Sequence, residues 1–417
     1  KMIFLLLTIL LFLLFPVPSL VLSVVGVVID KKLSKLYLIL VCLSISIISL
    51  RYIPHPLDDG AFHFRAVSVL ANYNNVVQLF KDFASGLQIG RYDYGSVPVF
   101  TLLMYLVRNT YHYSLLSFIS AFVTYFSFGY VVIDMFNSYR KCSKLSYIIV
   151  FLTVLILNNY RYTTSGMRFC MAVSLIMLLL YIDSKNEYTD FKTIFLYLIP
   201  LGIHSAIIYF IALRLAFPIL KKVTILKSIV MILSFPILFG VFPLIARWTG
   251  LAYFESFVRK IEIYSDNTSY ADLFNTTLTV RLYVGLLLMF LFLVMYLILG
   301  KIVRFEKDWR ITFVKMTYYI TLLSVGSVPF RNIYDRNLFL LLPMIAISAY
   351  VLFTYRNRLT IPSNRSFIYL GTFSTVSISL FIGILYNRNF PFNLIDFSKT
   401  DLLVKNIFQF FSDLPFT

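Results

Sequence analysis

Two arginines, Arg161 and Arg168, interrupt the otherwise uncharged segment "NNYRYTTSGMRFCMAVSL", Asn158–Leu175. A guanidinium fork can hold phosphate or carboxylate through two parallel hydrogen bonds. Arg161 falls in a predicted loop, and Arg168 falls just after Gly166 at the start of a predicted membrane span. A helix start there adds outward N–H groups and the positive end of a dipole, so the segment makes a seat for an anion. Ser165, Gly166 and Ala172 are small enough to let a neighbouring helix or an acyl chain come close. The competing reading is ordinary helix packing, with Arg168 reaching up to lipid headgroups. His204, in the uncharged turn "PLGIHS", is an ionisable group where ionisation is expensive, which points to function; the alternative is a neutral imidazole that holds the turn. Asp58 and Asp59, beside His55 and His63, would suit a divalent cation, but such loop groups ordinarily face water and no metal is assigned. Tyr52, Phe62, Phe64, Tyr73, Tyr92 and Tyr94 would serve either sugar stacking or an interfacial aromatic belt.

The elements that must position these groups are membrane helices. The 417 residues are 59% hydrophobic and 13% charged, with a mean hydropathy of +0.83, which excludes a soluble enzyme with a water-facing surface. A span needs about 20 apolar residues, and the apolar runs are too long and continuous for the alternating strands of an outer-membrane barrel. Runs near 2–29, 36–53, 114–136, 145–158, 166–182, 193–220, 228–247, 281–300, 311–329, 337–354 and 366–386 predict an all-α polytopic membrane protein of about 11–12 transmembrane helices. The chain reads as one integral membrane domain over residues 1–417, with no separate aqueous domain and no internal repeat. The first run is too long for a signal-peptide core and reads as an anchor, kinked or split at Pro16 and Pro18. Cys42, Cys142 and Cys170 have neither disulfide nor zinc spacing.

Basic clusters at Lys31–Lys35, Arg140–Lys144, Lys185–Lys192, Arg214–Lys227, Lys301–Lys315 and Arg356–Arg365 all go to the cytoplasmic side under the positive-inside rule. Two consequences follow. Val97–Val107 is too short to span and becomes an interfacial or re-entrant helix, and Thr193–Leu220 must turn back near Pro200–Ser205 unless it is one long tilted helix. Two large loops, 54–96 and 248–280, then face outward, together with the segment 387–417. On this topology the inner set holds 13 Lys and 7 Arg, whereas the outer set holds 12 Arg and 4 Lys. Lysine suffices to set topology, so an arginine-rich outer face suggests an anionic ligand such as a lipid diphosphate. The net charge of +18 is therefore topological, and no nucleic-acid partner is expected.

The segment "SGMRFCMAVSL", followed by "LGIHSAIIYF", resembles the paired signature of the EpsG/Wzy-type exopolysaccharide and O-antigen polymerase group. "LDDGAFHF", Leu57–Phe64, is similar to the acidic-aromatic stretch of that group's first large loop. "PFRNIYDRNLFLLLP", Pro329–Pro343, resembles its arginine-containing turn before a final pair of spans. Phe169 stands where the group often carries Gln or His. The resemblance implies a GT-C-like membrane glycosyltransferase, acting at the outer face of a bacterial plasma (inner) membrane on undecaprenyl-diphosphate-linked oligosaccharide. It needs no cofactor, and its expected partners are that lipid-linked oligosaccharide, membrane lipids and a chain-length regulator. Arg161, Arg168, Arg331 and Arg336 would contact the diphosphate, and His204, Asp58 or Asp59 would be the base for the acceptor hydroxyl. A flippase for the same lipid-linked unit would need two pseudo-symmetric halves, which the sequence does not display. An O-antigen ligase is chemically close and stays open.

Overall fold

The computed structural model describes residues 2–90, 92–110, 112–139, 143–188, 190, 192–249, 276–388 and 392–412. It is about 80% helical. Among the described residues, six helices are long and apolar enough to cross a membrane: Ser34–Arg51, Leu115–Asn137, Met167–Lys185, Thr279–Ile298, Arg331–Thr354 and Pro362–Asn387. Shorter apolar helices account for most of the other predicted runs. The outside of the protein is apolar as well as the inside, for Ile3, Leu6, Ile219, Ile225, Phe290 and Phe373 are each more than half exposed. Water would not tolerate so much exposed apolar surface; the chain is a helical, multi-pass membrane protein.

The helices group into two compact units, one of Lys1–Asp183, Asp190–Leu213 and Asn387–Thr417, the other of Ser184–Thr189 and Arg214–Tyr386. In the first unit, the opening run breaks into Met2–Leu14 and Ser19–Ile29. Pro16 and Pro18 lack the N–H groups that a continuous helix needs, and Ser19 donates to the freed carbonyl of Pro16 at 2.6 Å. Ser19–Ile29 lies against Ser34–Ser46, where a side chain on Gly26 would collide with the Tyr37 ring. Ser34–Ser46 in turn packs on Leu115–Asn137. Small hydroxyls bind that helix to the arginine-bearing segment: Ser117 donates to the Thr164 carbonyl at 2.9 Å and Ser120 to that of Thr163 at 2.6 Å. Close approach through small residues takes the place of hydrophobic association, which lipid does not provide.

At one end of this unit Lys31 donates to the Tyr139 carbonyl and Lys35 pairs with Asp134 at 3.5 Å. Arg51, Asp58 and Arg161 lie together at another. The stretch 54–96, expected as a loop, contains helices Asp59–Leu70 and Val76–Ser85 and a short hairpin pairing Gln88–Ile89 with Tyr92–Asp93. Its sequence supports this, since Phe64, Ala66, Val67 and Leu70 form a buried stripe at helical spacing and Asn75 caps the second helix through Gln78 N–H. Pro98–Val107 is a ten-residue helix, packed against Asp59–Leu70 and Leu198–Ile203. The run 193–220 is broken at His204, whose backbone is extended between helix Leu198–Ile203 and the turn Ser205–Ile207.

Residues 392–412 form a strap over the same end. Tyr52 pairs with Ile395 in a β-bridge, Ile53 N–H donates to the Leu394 carbonyl at 2.7 Å, and Asp396 N–H donates to that of Arg51 at 2.8 Å. Beneath it, Ile47, Leu50, Tyr52, Ile395, Leu402 and Phe410 make a small apolar core. In the second unit, Trp309–Gly326 is nearly engulfed by Ile225–Thr249 and Arg331–Thr354. A hydrogen bond of 2.8 Å between the Thr317 and Ser348 hydroxyls joins two of these helices. The loop 248–280 lies mostly outside the described residues, as do Arg140, Lys141 and Cys142.

Candidate functional site

The site grows from the start of helix Asp59–Leu70. Asp58 precedes it in extended conformation, with φ −76° and ψ 148°. Its carboxylate accepts from the Tyr52 hydroxyl at 3.1 Å and from one Arg161 terminal nitrogen at 3.0 and 3.3 Å. Burial pushes the Tyr52 phenol far above its usual range, and the adjacent Asp58 charge adds to that, so Tyr52 stays protonated and donates. Gly60 lets this turn approach the arginine segment, its N–H donating to Ser165 Oγ at 3.3 Å. The backbone of Tyr160–Ser165 is held from the far side of the sequence. Asn387 accepts from Tyr160 N–H at 3.0 Å and donates to the Ile156 carbonyl at 2.7 Å.

Asp59 accepts a short hydrogen bond from the Tyr92 hydroxyl. The guanidinium of Arg168 lies over that same Tyr92 ring, 4.7 Å from its centre, and 5.8 Å from the centre of Tyr94. One ring therefore carries an acid at its hydroxyl edge and a cation on its face. Tyr94 is buried, and its hydroxyl shares a 2.8 Å hydrogen bond with Nδ1 of His63. His63 is itself buried against Phe100, with ring centres 5.0 Å apart, so its ring buttresses the two tyrosines from behind. Arg168 is half-buried, and among the described residues no carboxylate pairs with it. Arg161 is different, with a side chain 52% exposed and an ion pair to Asp58.

No family model, curated protein or solved structure matches the chain. The chemistry of the site has to be read from its own groups. A half-buried guanidinium with an aromatic face beneath it and, among the described residues, no carboxylate paired with it attracts an anion. Asp58, Asp59, Arg161 and Arg168, named separately from sequence, come together here through Tyr52 and Tyr92. Among the described residues, no three His, Cys, Asp or Glu side chains are grouped so as to hold a metal. His55 accepts from Leu57 N–H at 3.3 Å through Nδ1.

His204 stands one element away, with its ring edge-on to Phe169 at 5.6 Å between centres. Phe169 follows Arg168 in the chain. His204 Nδ1 accepts from Ala206 N–H at 3.1 Å, so the neutral imidazole keeps its proton on Nε2. In that tautomer it offers a donor and not a base. Gly202, two residues earlier, sits against Val99, where a Cβ would fall 2.5 Å from a valine methyl; this fixes the start of the turn on the Pro98–Val107 helix.

Arg331 and Arg336 belong to the second unit. Arg331 is the exposed first residue of helix Arg331–Thr354, and Arg336 is half-buried. That unit contains a site which sequence reading did not single out. Arg281, 3% exposed, donates to Asp335 at 2.5 Å and to the Tyr386 hydroxyl at 2.8 Å, with its guanidinium 4.3 Å over the Tyr386 ring. The available signal was a lone charge inside an apolar span, Thr279–Ile298.

Proposed function

We propose that this protein is a polysaccharide polymerase of the EpsG/Wzy type, a glycosyltransferase with a GT-C-like architecture at the outer face of a bacterial inner membrane. The observation that carries the reading is Arg168, a half-buried guanidinium stacked on Tyr92 without a carboxylate partner among the described residues. It suits the diphosphate of an undecaprenyl-linked oligosaccharide, with Arg161 as a second contact that exchanges Asp58 for phosphate.

The reaction moves the growing glycan from its lipid diphosphate to a sugar hydroxyl on a fresh lipid-linked repeat. The bond between the sugar C1 and the diphosphate oxygen breaks, and its electron pair leaves with the diphosphate. The acceptor hydroxyl oxygen bonds to C1, and its proton passes to a carboxylate. Asp59 is the base on this reading, since it shares Tyr92 with Arg168 and is exposed. Arg168 stabilises the charge that develops on the departing diphosphate. Asp58 orients Arg161, and His204 serves as an Nε2–H donor close to the arginine segment.

Deletion of the gene, followed by gel analysis of surface glycan, tests the reading. Single-repeat product is the expected outcome. Polymer that stays lipid-linked beside undecorated core would assign the protein as a ligase, and repeat units trapped in the inner leaflet would assign it as a flippase.

A further inference from the structure

The second unit contains a shallow pocket, largely open at the surface, that the polymerase reading does not use. It is about 450 Å³ in volume and is lined by Arg356, Arg365, Ser366, Tyr369 and Leu370. It lies where the chain leaves helix Arg331–Thr354, passes through the tight turn Arg356–Arg358 and enters helix Pro362–Asn387. The basic loops mark this end of the helices as cytoplasmic.

The three arginines at this end, two in the turn and Arg365 in the helix after it, are not alike. Arg358 is paired with Glu306. Among the described residues, Arg356 and Arg365 have no carboxylate partner and are fixed by backbone instead. Arg356 donates to the Phe353 carbonyl at 3.0 Å with its guanidinium 3.7 Å over the Phe353 ring. Arg365 donates to the Leu359 carbonyl at 2.6 Å through Nε, a bond that does not engage its two terminal nitrogens. Two held guanidinia and the Ser366 hydroxyl around one pocket match the oxygen atoms of a phosphate. Snorkelling alone would not require the backbone bonds that hold each fork in place.

The apolar part of the surface decides which phosphate. Tyr369, Leu370 and Phe373 are 55%, 60% and 65% exposed, and they continue down the same face of the helix away from the arginines. A free phosphate would use the head of this site and leave the stripe bare. An amphiphile uses both, and the cytoplasmic leaflet is where anionic headgroups meet basic pockets between helices. We propose that Arg356, Arg365 and Ser366 bind the headgroup phosphate of an anionic phospholipid, whose chains run along Tyr369, Leu370 and Phe373. This site is independent of the polymerase reading.

The test uses the full chain purified in detergent, incubated with phosphatidylglycerol or phosphatidylcholine and weighed intact by native mass spectrometry. Wild type should retain phosphatidylglycerol and not phosphatidylcholine. Arg356→Ala/Arg365→Ala should lower that retention by about tenfold or more, whereas Lys307→Ala/Arg358→Ala, which removes the same charge from the same loops, should not. Arg365→Gln guards against misfolding, because Arg365 is exposed, and it too should lose the lipid. Equal losses in the two double variants would mean diffuse charge attraction and overturn the site. Full retention by a folded Arg365→Gln, or complete displacement of the lipid by inorganic phosphate, would overturn it as well.

Discussion

Arg168→Lys separates a bidentate contact from a mere positive charge. The guanidinium is held over Tyr92 at 4.7 Å, and on the proposed reading its planar fork binds the diphosphate. Lysine keeps the charge but is a compact ammonium that cannot make two parallel bonds. Hydrogen bonds to charged groups contribute about 1.5–3 kcal/mol, and each 1.4 kcal/mol is about tenfold in rate. The expected deficit is therefore about ten- to a hundredfold for Arg168→Lys, and greater for Arg168→Ala. The ring gives an internal control. Tyr92→Phe keeps the aromatic face and removes only the bond to Asp59, whereas Tyr92→Leu removes the face as well, a further loss of about 0.5–2 kcal/mol. The assay is polymer formed per unit enzyme from purified lipid-linked repeats. Paired with Arg168→Lys, Tyr92→Leu should be less than additive, since both disturb one contact. A fully active lysine variant would refute the bidentate argument, and strict additivity would refute the stacking.

His204→Asn keeps an acceptor for Ala206 N–H while its amide N–H₂ falls short of the Nε2 position, and should leave protein abundance normal while shortening the polymer; wild-type chain lengths in that variant would remove the Nε2 donor role. His204→Ala should also lose about 1 kcal/mol of stability with the cap, read as a lower Tm. Single cysteines at Asp190 and Lys222, in a cysteine-free background, should both be shielded from an impermeant thiol reagent added outside, and labelling at Lys222 alone would make 193–220 a single crossing. Burial raises the Asp308 pKa, but hydrogen bonds from Arg310 and Tyr355 outweigh it and hold the group below 3.8. Its stabilisation should then be full above 3.8 and fade as pH falls through the lower folded value. The Tm gap between wild type and Asp308→Asn, measured across that range, should be flat at first and then shrink. Arg51→Ala, which removes a buried guanidinium and its two bonds to the 392–412 segment, should destabilise by about 1–3 kcal/mol in all, while Asp396→Ala, whose partner oxygen is on a side chain 44% exposed, should change the midpoint by less than about 1 kcal/mol.

Helix content and membrane class were legible because long apolar runs leave the backbone no other way to satisfy itself in lipid. The grouping of Asp58 and Asp59 with Arg161 and Arg168 was legible only as four suspects. What joins them is a pair of tyrosines read ambiguously as sugar platforms or membrane belt, and a phenol hydroxyl gives no sign in sequence of which acid it will bind. The helices within 54–96 were missed because a hydropathy reading tuned to spans passes over short amphipathic ones. Asn387 and Arg51 were missed for another reason: most of their partners are backbone groups, which every residue has. Arg281 and Asp335 were each visible as charges, but only packing reveals that they form a pair.

The strap has a consequence in time. Arg51 ends 3% exposed, yet it donates to the carbonyls of Gln409 and Ser412, made 358 and 361 residues later. At about 5–20 residues per second, a ribosome takes roughly twenty to seventy seconds to supply them. Through that interval the early helices sit in the bilayer with an arginine awaiting its acceptors, and Tyr52 cannot pair with Ile395 to steady Asp58. Translation itself is the clock for completing the site. A chain that stops before these residues would lack both carbonyl acceptors of Arg51 and the strand partner of Tyr52.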